Sequence, residues 1–127
     1  MQKRIIIIDD DAAIRETFCE MIDEFEDYTA VATDDGEYFL DLLRNNGDLP
    51  DLVLIDIHMA KIDGIDLIRK IGDMGYCGPV GIVTGAIDTI QILARVTAIG
   101  RGIRFIGTLQ KPFRVRDLEH FIERVFC

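Results

Sequence analysis

Hydrophobic positions along the chain follow two alternating rhythms: short β-branched runs, and longer stretches with apolar residues at helical spacing. Lys3–Ile8 carries four consecutive isoleucines, the pattern of a strand buried on both faces of a parallel sheet. Ile14, Phe18, Met21, Ile22 and Phe25 then recur at helical spacing, which predicts an amphipathic helix opening near Asp10 or Asp11. Tyr28–Thr33 alternates and reads as a weaker strand. Gly36–Arg44 places Phe39, Leu42 and Leu43 on a helix that stops at Asn45-Asn46-Gly47. Pro50 and Asp51 introduce Leu52–Ile55, a second strongly apolar strand.

The second half repeats the rhythm. Asp63-Gly64 is a turn signal, and Ile65, Ile68 and Ile71 mark a helix face ending near Gly72–Gly75. Gly78-Pro79 leads into a strand at Val80–Val83, closed by Thr84-Gly85. Ile87, Ile90, Leu93 and Thr97 fall on one face of a helix running to Gly100. Arg101–Gly107 is glycine-rich and without clear period. Phe105–Gln110 reads as the fifth strand, and Val115, Leu118, Ile122 and Val125 as the last helix. Five strand–helix alternations predict an α/β fold with a mainly parallel sheet and helices on both faces. Residues 1–127 are expected to form one domain without internal repeat or charge block, any linker and output domain lying outside it.

Charge and composition narrow the partners. With 14 Lys+Arg against 23 Asp+Glu, the net charge is -9. That disfavours nucleic acid or an anionic membrane as partner, because both require a basic footprint. No apolar stretch approaches the ~20 residues of a membrane span. The run Ile5–Ile8 ends in Asp9-Asp10-Asp11 and is too short for a secretory h-region of ~7–15 residues. Cys19, Cys77 and Cys127 are scattered without a C-x-x-C pair, which fits reduced, structural core thiols in a cytoplasmic protein.

Ligands of such sheets bind beyond the carboxyl ends of the strands. Here those ends deliver Asp9-Asp10-Asp11, Asp56, Thr84 and Lys111-Pro112. Crowded carboxylates repel unless a cation sits among them. One lysine offsets one charge, so the set reads as a site for a hard divalent cation such as Mg²⁺ that also accepts phosphate oxygens. Asp11 is equally suited to capping the first helix. The His58 imidazole and His120 read as bystanders.

These residues carry a resemblance that covers essentially the whole chain. Ile5–Asp10, Asp51–Met59, Asp63-Gly64, Val83–Ala86 and Lys111-Pro112-Phe113, in this order and spacing, resemble the receiver domain of two-component response regulators. The resemblance implies a flavodoxin-like (βα)5 fold with strand order 2-1-3-4-5. It implies that Asp56 takes a phosphoryl group from a sensor histidine kinase or phosphotransfer protein, and that the chain catalyses its own phosphorylation and dephosphorylation. Asp10 would ligate Mg²⁺ directly, Asp9 mostly through water, and the His58 main-chain carbonyl would complete the protein ligands with Asp56. Lys111 and the Thr84 hydroxyl would contact phosphoryl oxygens, and Lys111-Pro112 would be cis. A surface of the fourth and fifth helices would then change its affinity for an output domain or downstream protein; a homodimer is compatible with this.

Two positions depart from the family. Ala60 stands where proline is usual. Thr108, three residues before Lys111, replaces the usual tyrosine or phenylalanine, so the aromatic switch is missing and Thr84 and Thr108 become the switch positions. Phe105–Phe113 is similar to receivers joined to EAL-type cyclic-di-GMP phosphodiesterase domains. Two other readings stand beside this one. Asp9-x-Asp11 formally fits the nucleophile motif of haloacid-dehalogenase-like phosphatases, but Ala13 breaks that pattern and only 16 residues follow Lys111. An unphosphorylated docking pseudo-receiver would explain Thr108 but not the intact acidic set. A dinucleotide-binding fold is excluded, since no G-x-G-x-x-G follows the first strand.

Overall fold

The four isoleucines of β1 (Lys3–Ile8) are fully buried in the computed structural model of the chain, which describes residues 2–45, 47–59, 63–85 and 89–126. A strand buried on both faces must lie inside a sheet, and β1 pairs with β2 (Tyr28–Thr33) on one side and β3 (Leu52–Asp56) on the other. β4 (Pro79–Thr84) and β5 (Arg104–Gln110) complete it. Every neighbouring pair is parallel and the order is β2-β1-β3-β4-β5, the flavodoxin-like arrangement. Helices α1 (Ala12–Asp23), α2 (Gly36–Arg44), α3 (Gly64–Asp73), α4 (Thr89–Gly100) and α5 (Val115–Phe126) alternate with the strands.

Strand alternation sorts the core into two layers. Ile5, Ile7, Leu52 and Leu54 pack with Phe18 and Ile22 of α1 and with Leu118 and Phe121 of α5. Ile6, Ile8, Val53 and Ile55 face Phe39 of α2, Ile68 and Ile71 of α3, and Ala94 and Ala98 of α4. Each such side chain removed from water contributes ~1.5–3 kcal/mol, which explains why the Ile run and Leu52–Ile55 form the centre of the sheet.

α4 differs from its expected face. Thr97 is buried and Ile90 packs on the core, but Leu93 is 51% exposed and the inward side is Ala94, Thr97 and Ala98; Ile87 lies outside the described residues. The helix is apolar on two sides, so periodicity fits either, and the small side chains are the ones turned inward. Cys77 is exposed rather than a core thiol, Cys19 is half-buried, and Cys127 lies outside the described residues, as does Ala60.

The unclear stretch before β5 resolves into a β-bulge. Val80 pairs with Phe105 but Gly81 pairs with Gly107, so Ile106 is an extra residue in β5. Gly107 has φ 145°, a conformation that favours glycine. The insertion re-phases the strand: Ile106 and Leu109, three apart, both pack with the α5 layer, which strict alternation forbids.

Candidate functional site

Register assembles the site. Ile8 pairs with Ile55, so Asp9 and Asp56 emerge side by side at the ends of β1 and β3, where the chain reverses its direction of travel across the sheet. Asp56 is opposite Val83, one residue before Thr84, and Thr84 is opposite Gln110, one residue before Lys111. The Lys111 main-chain N–H donates to the Thr84 carbonyl at 2.7 Å, locking the ends of β4 and β5 together. The Lys111-Pro112 bond is cis, as expected.

Asp9 and Thr84 are fully buried, Asp56 is 3% exposed, and Asp10 is open to solvent. Asp9, Asp10 and Asp56 each place a carboxylate oxygen within 4.8 Å of the others. Asp56 Oδ1 accepts the His58 main-chain N–H at 3.0 Å, and its Oδ2 lies 3.4 Å from Lys111 Nζ. Lys111 is nearer to Asp9, at 2.7 Å from Oδ2. Asp9 Oδ1 accepts the Asp11 N–H at 2.9 Å. The lysine therefore bridges two buried acids rather than serving Asp56 alone.

Burial pushes the Asp56 pKa above the usual carboxylate value and the Asp9 charge adds to this; the His58 N–H and Lys111 oppose it without cancelling it. For Lys111, burial works against the ammonium form, but Asp9 and then Asp56 outweigh it and hold the pKa above that of an ordinary lysine. A carboxyl whose pKa is raised by folding contributes stability below its unfolded value and loses it as pH rises through the folded one. Asp56→Asn is thus expected to melt a few degrees above the wild type at pH 7, with the gap closing as pH falls towards about 4. Paired thermal melts across that range check this; a variant that melts lower at pH 7 means the lysine outweighs burial.

Asp11 is a cap. Its Oδ1 accepts the Ala13 N–H at 2.9 Å and opens α1. Asp11→Ala is expected to cost about 1 kcal/mol in urea unfolding and to leave metal affinity unchanged. The His58 and His120 side chains are exposed. Thr108 lines a groove of about 900 Å³ between β5 and α5 with Gln110, His120 and Arg124, and no aromatic ring enters it from that position. One contributor is missing from the sequence reading: Arg15, half-buried on α1, donates from Nη1 to the Asp9 carbonyl at 2.8 Å. Its signal was a cation one turn into a helix that begins at an acidic strand end.

The donor set fits a hard cation. Three carboxylates converge, and buried Asp9 Oδ2 has the Lys111 ion pair but no aligned hydrogen bond, leaving lone-pair capacity for a cation.

The family model for the response regulator receiver domain matches residues 5–123. The chain belongs to this family. As a receiver domain it is 33% identical over 118 residues to a response regulator MprA of Mycobacterium sp. (strain KMS), covering 93% of the chain and 48% of that protein. It is 29% identical over 117 residues to a protein-glutamate methylesterase/protein-glutamine glutaminase of Nitrosospira multiformis, 91% of the chain and 32% of that protein. The chain thus spans half or less of these relatives. Among solved structures, a CheY-like receiver domain from Methanospirillum hungatei superposes with TM-score 0.74 at 26% identity, covering 98% of this chain and 97% of that one. The chemotaxis response regulator CheY4 of Vibrio cholerae gives TM-score 0.77 at 18% identity over 99% and 100% of the chains, a likeness of fold. No helix among the described residues is long and apolar enough to cross a membrane.

Proposed function

We propose that this receiver domain, residues 1–127, switches by accepting a phosphoryl group on Asp56. A buried carboxylate set between a second acid and a lysine carries this reading. An Asp56 carboxylate oxygen attacks phosphorus in line as the bond to the donor, a phosphohistidine nitrogen or a small acyl phosphate, breaks; an acyl phosphate forms and the leaving group keeps the bonding pair. Asp9, Asp10, Asp56 and the His58 main-chain carbonyl are the residues that would hold Mg²⁺. When bound, the ion neutralises the carboxylates and the phosphoryl oxygens.

Lys111 already bridges Asp9 and Asp56, so a short shift of its ammonium carries it to a new anionic oxygen. Thr84, at the end of β4, would donate its hydroxyl to another. Later attack by water on phosphorus releases phosphate and restores Asp56, so the chain catalyses both directions of its own switch. The donor is a sensor histidine kinase or phosphotransfer protein of the cytoplasm, and the receiver of the signal is an output domain or downstream protein. A haloacid-dehalogenase-like role for Asp9 is less well supported, because Ala13 breaks that family's motif and the chain matches the receiver family over residues 5–123.

Mg²⁺ at about 100 times its Kd is expected to stabilise the fold by about 2.7 kcal/mol, read as a rise of several degrees in Tm that Asp10→Asn removes. Incubation with acetyl phosphate and Mg²⁺, followed by intact mass, is expected to show a gain of one phosphate. No gain, or an equal gain in excess chelator, overturns the reading.

A further inference from the structure

The turn from β1 into α1 is tied down by a chain of short hydrogen bonds. The Asp9 N–H donates to the Thr33 carbonyl at 3.0 Å, Asp9 Oδ1 accepts the Asp11 N–H at 2.9 Å, and Asp11 Oδ1 accepts the Ala13 N–H at 2.9 Å. One further bond reaches back into the turn from the helix. Arg15, half-buried on α1, donates from Nη1 to the Asp9 carbonyl at 2.8 Å, while its own main-chain N–H donates to the Asp11 carbonyl at 3.1 Å.

The Asp9 carbonyl and the Asp10 N–H belong to one rigid peptide plane. A donor that holds the carbonyl therefore sets how this plane is turned, and with it the direction in which the Asp10 side chain leaves the backbone. Asp10 depends on such a hold more than the other two acids. Asp9 and Asp56 are buried and each carboxylate accepts a main-chain N–H, from Asp11 and His58, whereas Asp10 is open to solvent. An exposed side chain gives up rotamer freedom when it is ordered on an ion, and a fixed peptide beneath it keeps that loss to the side chain alone.

We propose that Arg15 is a positioning residue for the metal site: its guanidinium holds the Asp9–Asp10 peptide so that the Asp10 carboxylate stays turned towards those of Asp9 and Asp56 and ready for a divalent cation. Charge alone argues in the opposite direction, since a guanidinium near the site repels Mg²⁺ and its removal would tighten binding. Solvent screens that repulsion for a half-buried group, whereas groups that orient metal ligands are typically worth 10- to 100-fold in affinity. Positioning is therefore the larger effect. Arginine suits the task because it stays charged and presents a planar fork of donors at every physiological pH. The inference rests on the receiver reading, since it concerns how the metal site of that reading is held.

Mg²⁺ titrated calorimetrically into the metal-free 127-residue chain is the test. Arg15→Ala is expected to weaken Mg²⁺ binding at least about tenfold. Arg15→Lys keeps the charge and a donor on a shorter stem and is expected to bind more tightly than Arg15→Ala. In metal-free samples the Asp10 main-chain amide resonance is expected to shift and broaden in Arg15→Ala, a signature that a general loss of stability does not produce. Circular dichroism confirms that each variant is folded, and Arg15→Gln, with the same expectations, replaces Arg15→Ala if the latter does not fold. A folded Arg15→Ala that binds Mg²⁺ as tightly as the wild type or more tightly overturns the proposal. So does a lowered Tm with the Mg²⁺ affinity and the Asp10 amide unmoved, or an Arg15→Lys weaker than Arg15→Ala. Phosphate uptake by the wild type is read separately by mass. A wild type that binds Mg²⁺ and takes up phosphate beside variants of equal affinity removes only the role of Arg15; a wild type that does neither removes the receiver reading with it.

Discussion

Asp56→Asn is expected to lower phosphate uptake from acetyl phosphate by at least about 10³-fold, to the limit of intact-mass detection. The amide keeps the shape of the carboxylate, and its oxygen can still accept the His58 N–H that now reaches Asp56 Oδ1 at 3.0 Å. What disappears is the anionic oxygen that attacks phosphorus. The neighbouring acids are poorly placed to substitute. Asp9 is fully buried with its oxygens held by the Asp11 N–H and Lys111, and Asp10 is open to solvent. The same substitution is expected to raise thermal stability at neutral pH, so loss of phosphorylation through unfolding is distinguishable by melting the variant. Phosphate recovered at Asp9 or Asp10 by peptide mapping, in a folded variant, removes Asp56 from its assigned role.

The second large effect lies beside the site, where α3 begins. A Cβ at Gly64 would stand 2.5 Å from the Asp56 carbonyl oxygen and 2.5 Å from Ile57 Cα, both backbone atoms that no rotamer change can clear. Asp63 caps α3 through the Ile65 N–H at 2.8 Å, which fixes the helix end against the strand. Gly64→Ala must therefore push α3 away from β3 or bend the peptide after Asp56. Overpacking against unyielding atoms costs about 3 kcal/mol, roughly a 10 °C fall in Tm for a domain of this size. Phosphate uptake is expected to drop together with stability, because the displaced segment leads into His58, whose N–H holds the Asp56 carboxylate. Scanning calorimetry and the mass assay on one preparation check both; an unshifted Tm means that the junction is looser than it looks.

These outcomes show which parts of the molecule are legible in the sequence. The boundaries of β1, β2 and α2 follow from the residue pattern, because an Ile run, a two-residue alternation and a stop at Asn45 are local facts. The site is legible for a related reason: strand ends collect at one edge of a parallel sheet, so Asp9, Asp10, Asp56, Thr84 and Lys111 can be placed together before any distance is known. Long-range facts are harder. The preference of Lys111 for Asp9 depends on fractions of an ångström, and the Arg15 contact on where the first helix opens. The inward face of α4 is ambiguous because both faces are apolar, and the bulge at Ile106 emerges only once β5 is laid against β4. Thr108 is visible in the sequence, yet the groove beside it is set by how α5 lies across the sheet.

That bulge also bears on how the protein behaves in a crowded solution. β5 is an outermost strand of the sheet, with seven residues whose outward N–H and C=O groups could template an extended chain. The extra residue breaks the ladder near its middle, so an incoming strand finds straight runs of only about three or four residues. Stacking of chains edge to edge into cross-β aggregates is thereby discouraged at the strand that carries Phe105, Ile106 and Leu109. A kink in the strand that leads to Lys111 doubles as protection against fibrils.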